Sequence, residues 1–227
     1  MTRSPSVYVV IPAYKEMARI GNTLASLDRE KYTVVVVDDG SPDQTGAIAY
    51  NADVWVIRHP INRGQGAALK TGIDFAVAQG ADFIVTFDAD GQHDPRDIPA
   101  LLKPLFEGQA DIALGSRFIG TTINMPWSRY LTLKLAVLFT RIVSQIQVSD
   151  THNGFRAMTR SAAAALVLLQ DRMAHASEIL DEIQRLRLRY VEVPVTIRYS
   201  QDTMEKGQSS LAAVRIAWQF LVGRLFK

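Results

Sequence analysis

The chain predicts an α/β protein with a mainly parallel central sheet flanked by helices. Three observations carry this expectation. Short apolar runs of strand length recur at residues 7–11, 33–37, 54–57, 83–87 and 112–114. Between them, apolar residues return every three or four positions, as on one face of a helix. Each run also breaks into Pro, Gly or Asp, the residues that end strands in turns. Strands alternating with helices at this spacing make βαβ units with right-handed crossovers.

Taken in order, residues 7–11 read as a buried strand stopped by Pro12, followed by a helix carrying Ile20, Leu24 and Leu27. Residues 33–37 form a second strand ending Asp38-Asp39-Gly40-Ser41-Pro42, and Ser41 or Asp43 can cap the helix that runs towards Tyr50. A third strand, 54–57, closes at His59-Pro60. Asn62-Arg-Gly64-Gln-Gly66 then opens a helix with Leu69, Ile73, Ala76 and Val77 as its stripe. The fourth strand runs into Asp88-Ala-Asp90-Gly-Gln92-His-Asp94-Pro95, and Pro95 suits the first turn of a helix with Leu101, Leu102 and Leu105 inward. The fifth, 112–114, ends in Gly115-Ser116-Arg117.

The second half differs in texture. Residues 130–148 are helical and apolar, which fits either a core helix or a membrane-surface helix. A polar loop spans 150–158, helices follow at 161–169 and 174–188, and residues 190–197 make a strand whose Pro194 suggests a sheet edge. Leu211, Val214, Trp218, Leu221 and Leu225 form one stripe of a last amphipathic helix, 211–227, read as a packing helix or a lipid-facing anchor beside a catalytic domain of residues 1–210.

Composition narrows the function classes. A chain of 227 residues is one domain's worth, and 48% hydrophobic with 21% charged residues is globular rather than disordered. With no Cys there are no disulfides or thiolate metal sites, in keeping with a cytosolic protein. The net charge of +2 gives no footprint for nucleic acid. No apolar run reaches the roughly 18 residues of a spanning helix, and no secretory signal is expected.

In open parallel sheets, ligands bind beyond the carboxyl ends of the strands. The loops 12–16, 38–41, 88–92 and 115–117 all fall there and bring acids, Gly turns, one aromatic and one Arg. Asp88 and Asp90, with Gln92 two further on, offer hard oxygen ligands suited to Mg²⁺ or Mn²⁺. Alone, an Asp-x-Asp is also an ordinary strand-ending turn. The convergence of four such loops favours a nucleoside diphosphate with a metal.

Six motifs in order carry a resemblance: Ile11-Pro-Ala-Tyr-Lys-Glu16, Val37-Asp-Asp-Gly-Ser-Pro42, Asn62-Arg-Gly-Gln-Gly-Ala-Ala-Leu69, Asp88-Ala-Asp-Gly-Gln-His93, Gly115-Ser-Arg117 and residues 150–156. Together they resemble the family 2 inverting glycosyltransferases with the GT-A (Rossmann-like) fold, most of all those that move a hexose from a nucleotide sugar to a polyprenyl phosphate. The resemblance implies that Pro12, Tyr14 and Glu16 line the base and ribose pocket, with Val37 and Asp39 at the base. It implies that Asp88 and Ala89 face the nucleotide or sugar, that Asp90 and Gln92 hold Mg²⁺ or Mn²⁺, and that Arg117 binds phosphate. Arg129, Lys134, Arg198 and Lys206 are candidates for the acceptor phosphate. Asp150, with Glu178 behind it, is the candidate base for a hydroxyl acceptor. An anionic phosphate needs no base, and Asp150 would then organise the metal or the loop.

The late segment Met204-Glu-Lys206-Gly207-Gln208-Ser209 lacks the Arg that mannosyltransferases of this branch carry, so a UDP-hexose is as well supported as a GDP-hexose. The implied setting is cytoplasmic, peripheral on the inner membrane face, reached through the 130–148 helix, the terminal helix or a small membrane-protein partner. Homo-oligomerisation stays open. The competing reading is a soluble family 2 transferase that extends a cell-surface glycan at a sugar hydroxyl. A nucleotide-sugar binding module and a nucleotidyltransferase are more distant readings; Gly64-x-Gly66 lacks the Lys-Ser/Thr ending of a P-loop.

Overall fold

The computed structural model describes residues 4–144 and 146–199. The terminal helix expected at 211–227 and Lys206 lie outside the described residues. A seven-stranded sheet in the order β3-β2-β1-β4-β6-β5-β7 forms the centre. Its strands are β1 (Val7–Ala13), β2 (Tyr32–Asp38), β3 (Trp55–Arg58), β4 (Phe83–Thr86), β5 (Ile112–Ile123), β6 (Arg156–Thr159) and β7 (Tyr190–Arg198). The helices are α1 (Ile20–Ser26), α2 (Thr45–Tyr50), α3 (Gln65–Ala78), α4 (Ile98–Phe106), α5 (Trp127–Ser144), α6 (Arg160–Ala165) and α7 (His175–Arg185). The α/β class and the mainly parallel sheet expected from the sequence are both present.

Every strand of the first half pairs in parallel, β1 with β2 and β4, and β2 with β3. Alternation along the strands sends side chains to two cores. Ile11, Val36, Val85 and Phe87 join Ile20, Leu24, Leu101 and Leu105 on one face. Val10, Ile84, Ile112 and Met158 meet Leu69, Ile73, Ala162, Ile179 and Ile183 on the other. The inward stripes expected for α1, α3 and α4 are therefore the packed ones.

Several boundaries move, each for a physical reason. Pro12 does not stop β1, which continues to Ala13. Pairing with β4 ends at Val10, so Pro12 faces a ladder only on the β2 side and its missing N–H costs little. Neither Ser41 nor Asp43 is the N-cap of α2; Gln44 is, without a side-chain cap. Asp43 instead accepts from the Thr45 N–H and hydroxyl, and Ser41 Oγ accepts from the Lys15 N–H. Gly115-Ser116-Arg117 lies inside β5 rather than in a loop, because β7 pairs along it past a register shift between Ser116 and Thr121. The α5 helix begins earlier than expected, at Trp127, while α6 and α7 are shorter.

The largest departure is β6. Residues 156–159, expected within a polar loop, insert antiparallel between β4 and β5 and make the sheet mixed. The edge position expected for the strand with Pro194 is correct, since among the described strands β7 pairs with β5 alone.

At the crossing of α3 over β1, a Cβ on Gly72 would overlap Val10 Cγ1 and press on Val37 Cγ2. Both neighbours are stiff β-branched side chains in buried strands. Gly72→Ala gains about 1 kcal/mol of helix propensity but incurs about 1–3 kcal/mol of overpacking. The expected net outcome is a lower urea midpoint with an unchanged slope; a raised midpoint would contradict this packing.

Candidate active site

The strand order reverses between β1 and β4, and the crevice beyond their carboxyl ends collects the motif residues. On the β1–β2 side, Pro12 is buried, Tyr14 is 39% exposed and Glu16 is half-buried, its carboxylate paired with Arg19 at 2.8 Å. Tyr14 therefore sits at an open rim, while the Glu16 side chain is mostly covered. Val37 does not: its side chain is fully buried with Val35 and Ala68, on the α3 face of the sheet. Strand alternation turns the Val37 side chain away from the crevice, so only its backbone is left to meet a base.

Asp39 serves its own fold first. Its Oδ1 accepts from His59 Nδ1 at 2.7 Å and the Arg63 N–H at 3.0 Å. Its Oδ2 accepts from Asn62 Nδ2 at 2.8 Å and the Gly64 N–H at 2.6 Å. The carboxylate thereby pins loop 59–64 and stands at the positive end of α3. The glycines of Gly64-x-Gly66 are explained by the same region. A Cβ on Gly66 would collide with the Gln170 carbonyl, and one on Gly64 with the Asp171 carbonyl. The motif serves close backbone approach, not a phosphate loop.

The Asp88–Asp94 turn is held from several sides. Asp88 Oδ1 accepts from Gln65 Nε2 at 3.0 Å, and its Oδ2 lies 3.4 Å from His93 Nε2. His93 Nδ1 accepts from the Asp88 N–H at 3.1 Å, which places the ring proton on Nε2. The imidazole stacks on Phe155 at 4.7 Å, and burial drives its pKa down to about 4, so it is neutral at pH 7. Burial also raises Asp88, against the opposing pull of Arg156 and Arg117, and lifts Asp90 to about 6 with help from Asp88. Ala89 packs in the core and its carbonyl accepts from Thr23 Oγ1.

The donor set fits a small hard cation. Asp90 Oδ1 accepts from the Gln92 N–H at 3.0 Å, and no protein hydrogen bond to Oδ2 occurs among the described residues. Among those residues no cluster of three or more His, Cys, Asp or Glu could hold a metal. One or two carboxylates with an amide oxygen, completed by substrate phosphates and water, is the arrangement Mg²⁺ or Mn²⁺ takes.

The second half of the chain closes the other side. Arg117, 6% exposed, donates from Nε to Asp150 Oδ2 at 2.6 Å and from Nη1 to the Tyr199 hydroxyl at 2.7 Å. Burial opposes its charge, but Asp150 and Tyr199 more than reverse that. Asp150, the candidate base, is itself buried, with the same Oδ2 accepting the Arg117 N–H. Glu178 Oε2 accepts the Leu169 and Gln170 N–H groups and so shapes that loop. Arg129 lies over the Tyr199 ring, and Lys134 Nζ lies 4.1 Å from the Phe118 ring centroid. Arg198 is held by Asp94 at 3.1 Å, beside the turn, and its N–H donates to the Gln92 carbonyl.

Four residues of the site carried no assigned role in the sequence: Gln65, His93, Arg156 and Tyr199. Gln65 sat between two glycines and His93 beside Gln92, so adjacency was a signal for both. Arg156 is 2% exposed, and burial lowers its pKa to about 10 despite Asp88 and Asp150. Arg156 ends the 150–156 motif, which was its signal; nothing in the sequence distinguishes Tyr199 from surface residues.

With this geometry established, known proteins give it a family. A model described as glycosyl transferase family 2 matches residues 8–167. The chain belongs to that family. As a family 2 glycosyltransferase it is 31% identical, over 97% of both chains, to a UDP-N-acetylglucosamine–dolichyl-phosphate N-acetylglucosaminyltransferase of Methanococcus voltae. It is 34% identical to a dolichol-phosphate mannosyltransferase of Pyrococcus furiosus, over 97% of this chain and 66% of that one. Its fold matches glucosyl-3-phosphoglycerate synthase from Mycobacterium tuberculosis, solved with Mn²⁺, UDP and product. The TM-score there is 0.75 at 19% identity, covering 96% of this chain and 78% of that one. The GT-A fold expected from the sequence is thereby established.

His175, on α7 behind the site, offers a test of the buried interior. Burial lowers its pKa from 6.5 to about 4, only partly offset by its bond to the Arg172 carbonyl. The unfolded chain therefore binds more protons between these values, and stability is lost as pH falls through that window. Asp90, shifted upward, works in the opposite direction, so a difference measurement isolates His175. From about pH 7 to about pH 4.5, urea unfolding should move in favour of His175→Gln relative to wild type by about 2 kcal/mol. A pH-independent difference would contradict the burial.

Proposed function

We propose that this glycosyltransferase moves a hexose from a nucleotide-diphosphate sugar to a polyprenyl phosphate at the inner membrane face, with inversion. The observation that carries the reading is the charge of the acceptor side. Arg198 donates its N–H to the Gln92 carbonyl and Arg129 lies over the Tyr199 ring, while the one carboxylate placed as a base, Asp150, is paired with Arg117. A hydroxyl acceptor needs a free base, whereas an anionic phosphate needs cations and positioning. Relatives named for transfer to dolichyl phosphate support the same acceptor.

In this reading the acceptor phosphate oxygen attacks the anomeric carbon from the face opposite the diphosphate. A new carbon–oxygen bond forms as the bond to the nucleoside diphosphate breaks, and no proton need move. Asp90 and Gln92 would hold Mg²⁺ or Mn²⁺, which supplies charge neutralisation for the departing diphosphate. Tyr14 at the rim, together with Glu16, would receive the nucleoside. Asp88 and its partner Gln65 would face the sugar, with Ala89 as the small residue beside them. Arg129, Arg198, Lys134 and Lys206 remain the proposed partners of the acceptor phosphate.

Access to a lipid is supported by α5. Trp127, Leu131, Leu135 and Leu138 are each more than half exposed and recur at helical spacing on one face. No helix among the described residues is long and apolar enough to cross a membrane. The helix would therefore lie on the surface with this stripe towards lipid.

The deciding experiment offers Mn²⁺ and a panel of labelled nucleotide sugars with and without polyprenyl phosphate. Label should enter the lipid fraction only when polyprenyl phosphate is present, and Asp90→Ala should lower that transfer by about a thousandfold. Transfer to a soluble sugar acceptor without lipid would replace this reading with the glycan-extending one. In vesicle co-sedimentation, the double substitution Leu131→Glu with Leu135→Glu should weaken binding by at least about tenfold. Unchanged binding would remove α5 from the membrane contact.

A further inference from the structure

Tyr199 lies just beyond β7, 3% exposed, with its N–H donated to the Ile123 carbonyl at the end of β5. Its two ends serve different partners. The hydroxyl accepts from Arg117 Nη1 at 2.7 Å, and the ring face carries Arg129 Cζ 5.3 Å from its centroid. These arginines come from the successive elements β5 and α5, and one phenol lies between them. Two guanidinium groups on one phenol repel each other unless anions meet them. Asp150 meets Arg117 on one side. Among the described residues nothing meets Arg129, whose buried Nε has no hydrogen-bond partner.

We infer that Tyr199 is a positioning residue that fixes the spacing between Arg117, on the donor phosphate, and Arg129, on the acceptor phosphate. The inference rests on the polyprenyl-phosphate reading above. In-line displacement requires the attacking oxygen about 3–3.5 Å from the anomeric carbon while two like-charged phosphates are held close. A rigid aromatic joint between their two cations sets that geometry better than two independent flexible side chains. Because hydroxyl and ring act on different arginines, the two contributions separate by substitution.

The test compares full-length wild type, Tyr199→Phe and Tyr199→Leu in steady-state transfer from the nucleotide sugar the wild type uses. The acceptor is long-chain polyprenyl phosphate in phospholipid vesicles. Tyr199→Phe keeps the ring and removes the bond to Arg117, so kcat should fall about tenfold while the acceptor KM stays within about twofold. Tyr199→Leu also removes the cation–π contact and should raise the acceptor KM about tenfold. Wild-type values in Tyr199→Phe, or parallel changes in kcat and KM in both variants, overturn the inference and leave the proposed acceptor standing. A wild-type enzyme that transfers nothing to polyprenyl phosphate overturns both. If Tyr199→Leu does not fold, the kcat-selective signature of Tyr199→Phe decides alone.

Discussion

The antiparallel insertion of β6 between β4 and β5 is the constraint on which the site depends. Thr86 pairs with Arg156 and Leu114 pairs with the same residue, so one four-residue strand joins the two halves of the sheet. The loop feeding it is delivered directly against the motif turn. A Cβ on Gly154 would press on both oxygens of Asp88, and Phe155 stacks on His93. Asp150, six residues before the strand, reaches Arg117 on β5. Without this strand, the carboxylates that follow β4 and the arginine of β5 would share neither a sheet nor a common pocket.

Charge balance follows from that arrangement. Arg117 and Arg156 are both buried, and burying an isolated guanidinium is costly, so each needs an opposite charge nearby. Asp150 supplies one, and the field of Asp88 reaches the other. The same turn is tied to β7 by three links. His93 bridges Ile197, the Gln92 carbonyl accepts from Arg198, and Asp97 accepts the Thr196 N–H at 2.6 Å. Asp94, held far below the usual carboxylate range first by Arg96 and then by Arg198, completes the clamp. The acid-rich turn and β7 are therefore held together at several points.

Much of this was readable in advance where the cause is local. The inward faces of α1, α3 and α4 follow from helical spacing, and the acid-rich turn at Asp88–Gln92 follows from a strand running into Asp and Gly. The misjudged places are those where a distant partner overrides a local signal. Pro12 ends a strand in isolation but not where its N–H side is already unpaired. Gly115-Ser-Arg117 looks like a turn until β7 pairs beside it.

By itself, then, the sequence determined the α/β class, the sheet edge at which the motif residues collect, and the oxygen-rich turn suited to a hard cation. These depend on periodicity and on the chemistry of residues a few positions apart. Only the tertiary structure decided that Asp150 is Arg117's counter-ion, that Arg156 is a buried charge beneath Asp88, and that Tyr199 lies between two arginines. Such roles are set by contacts spanning 33 residues from Arg117 to Asp150 and 82 from Arg117 to Tyr199. Local propensity carries no information over those separations; strand order does.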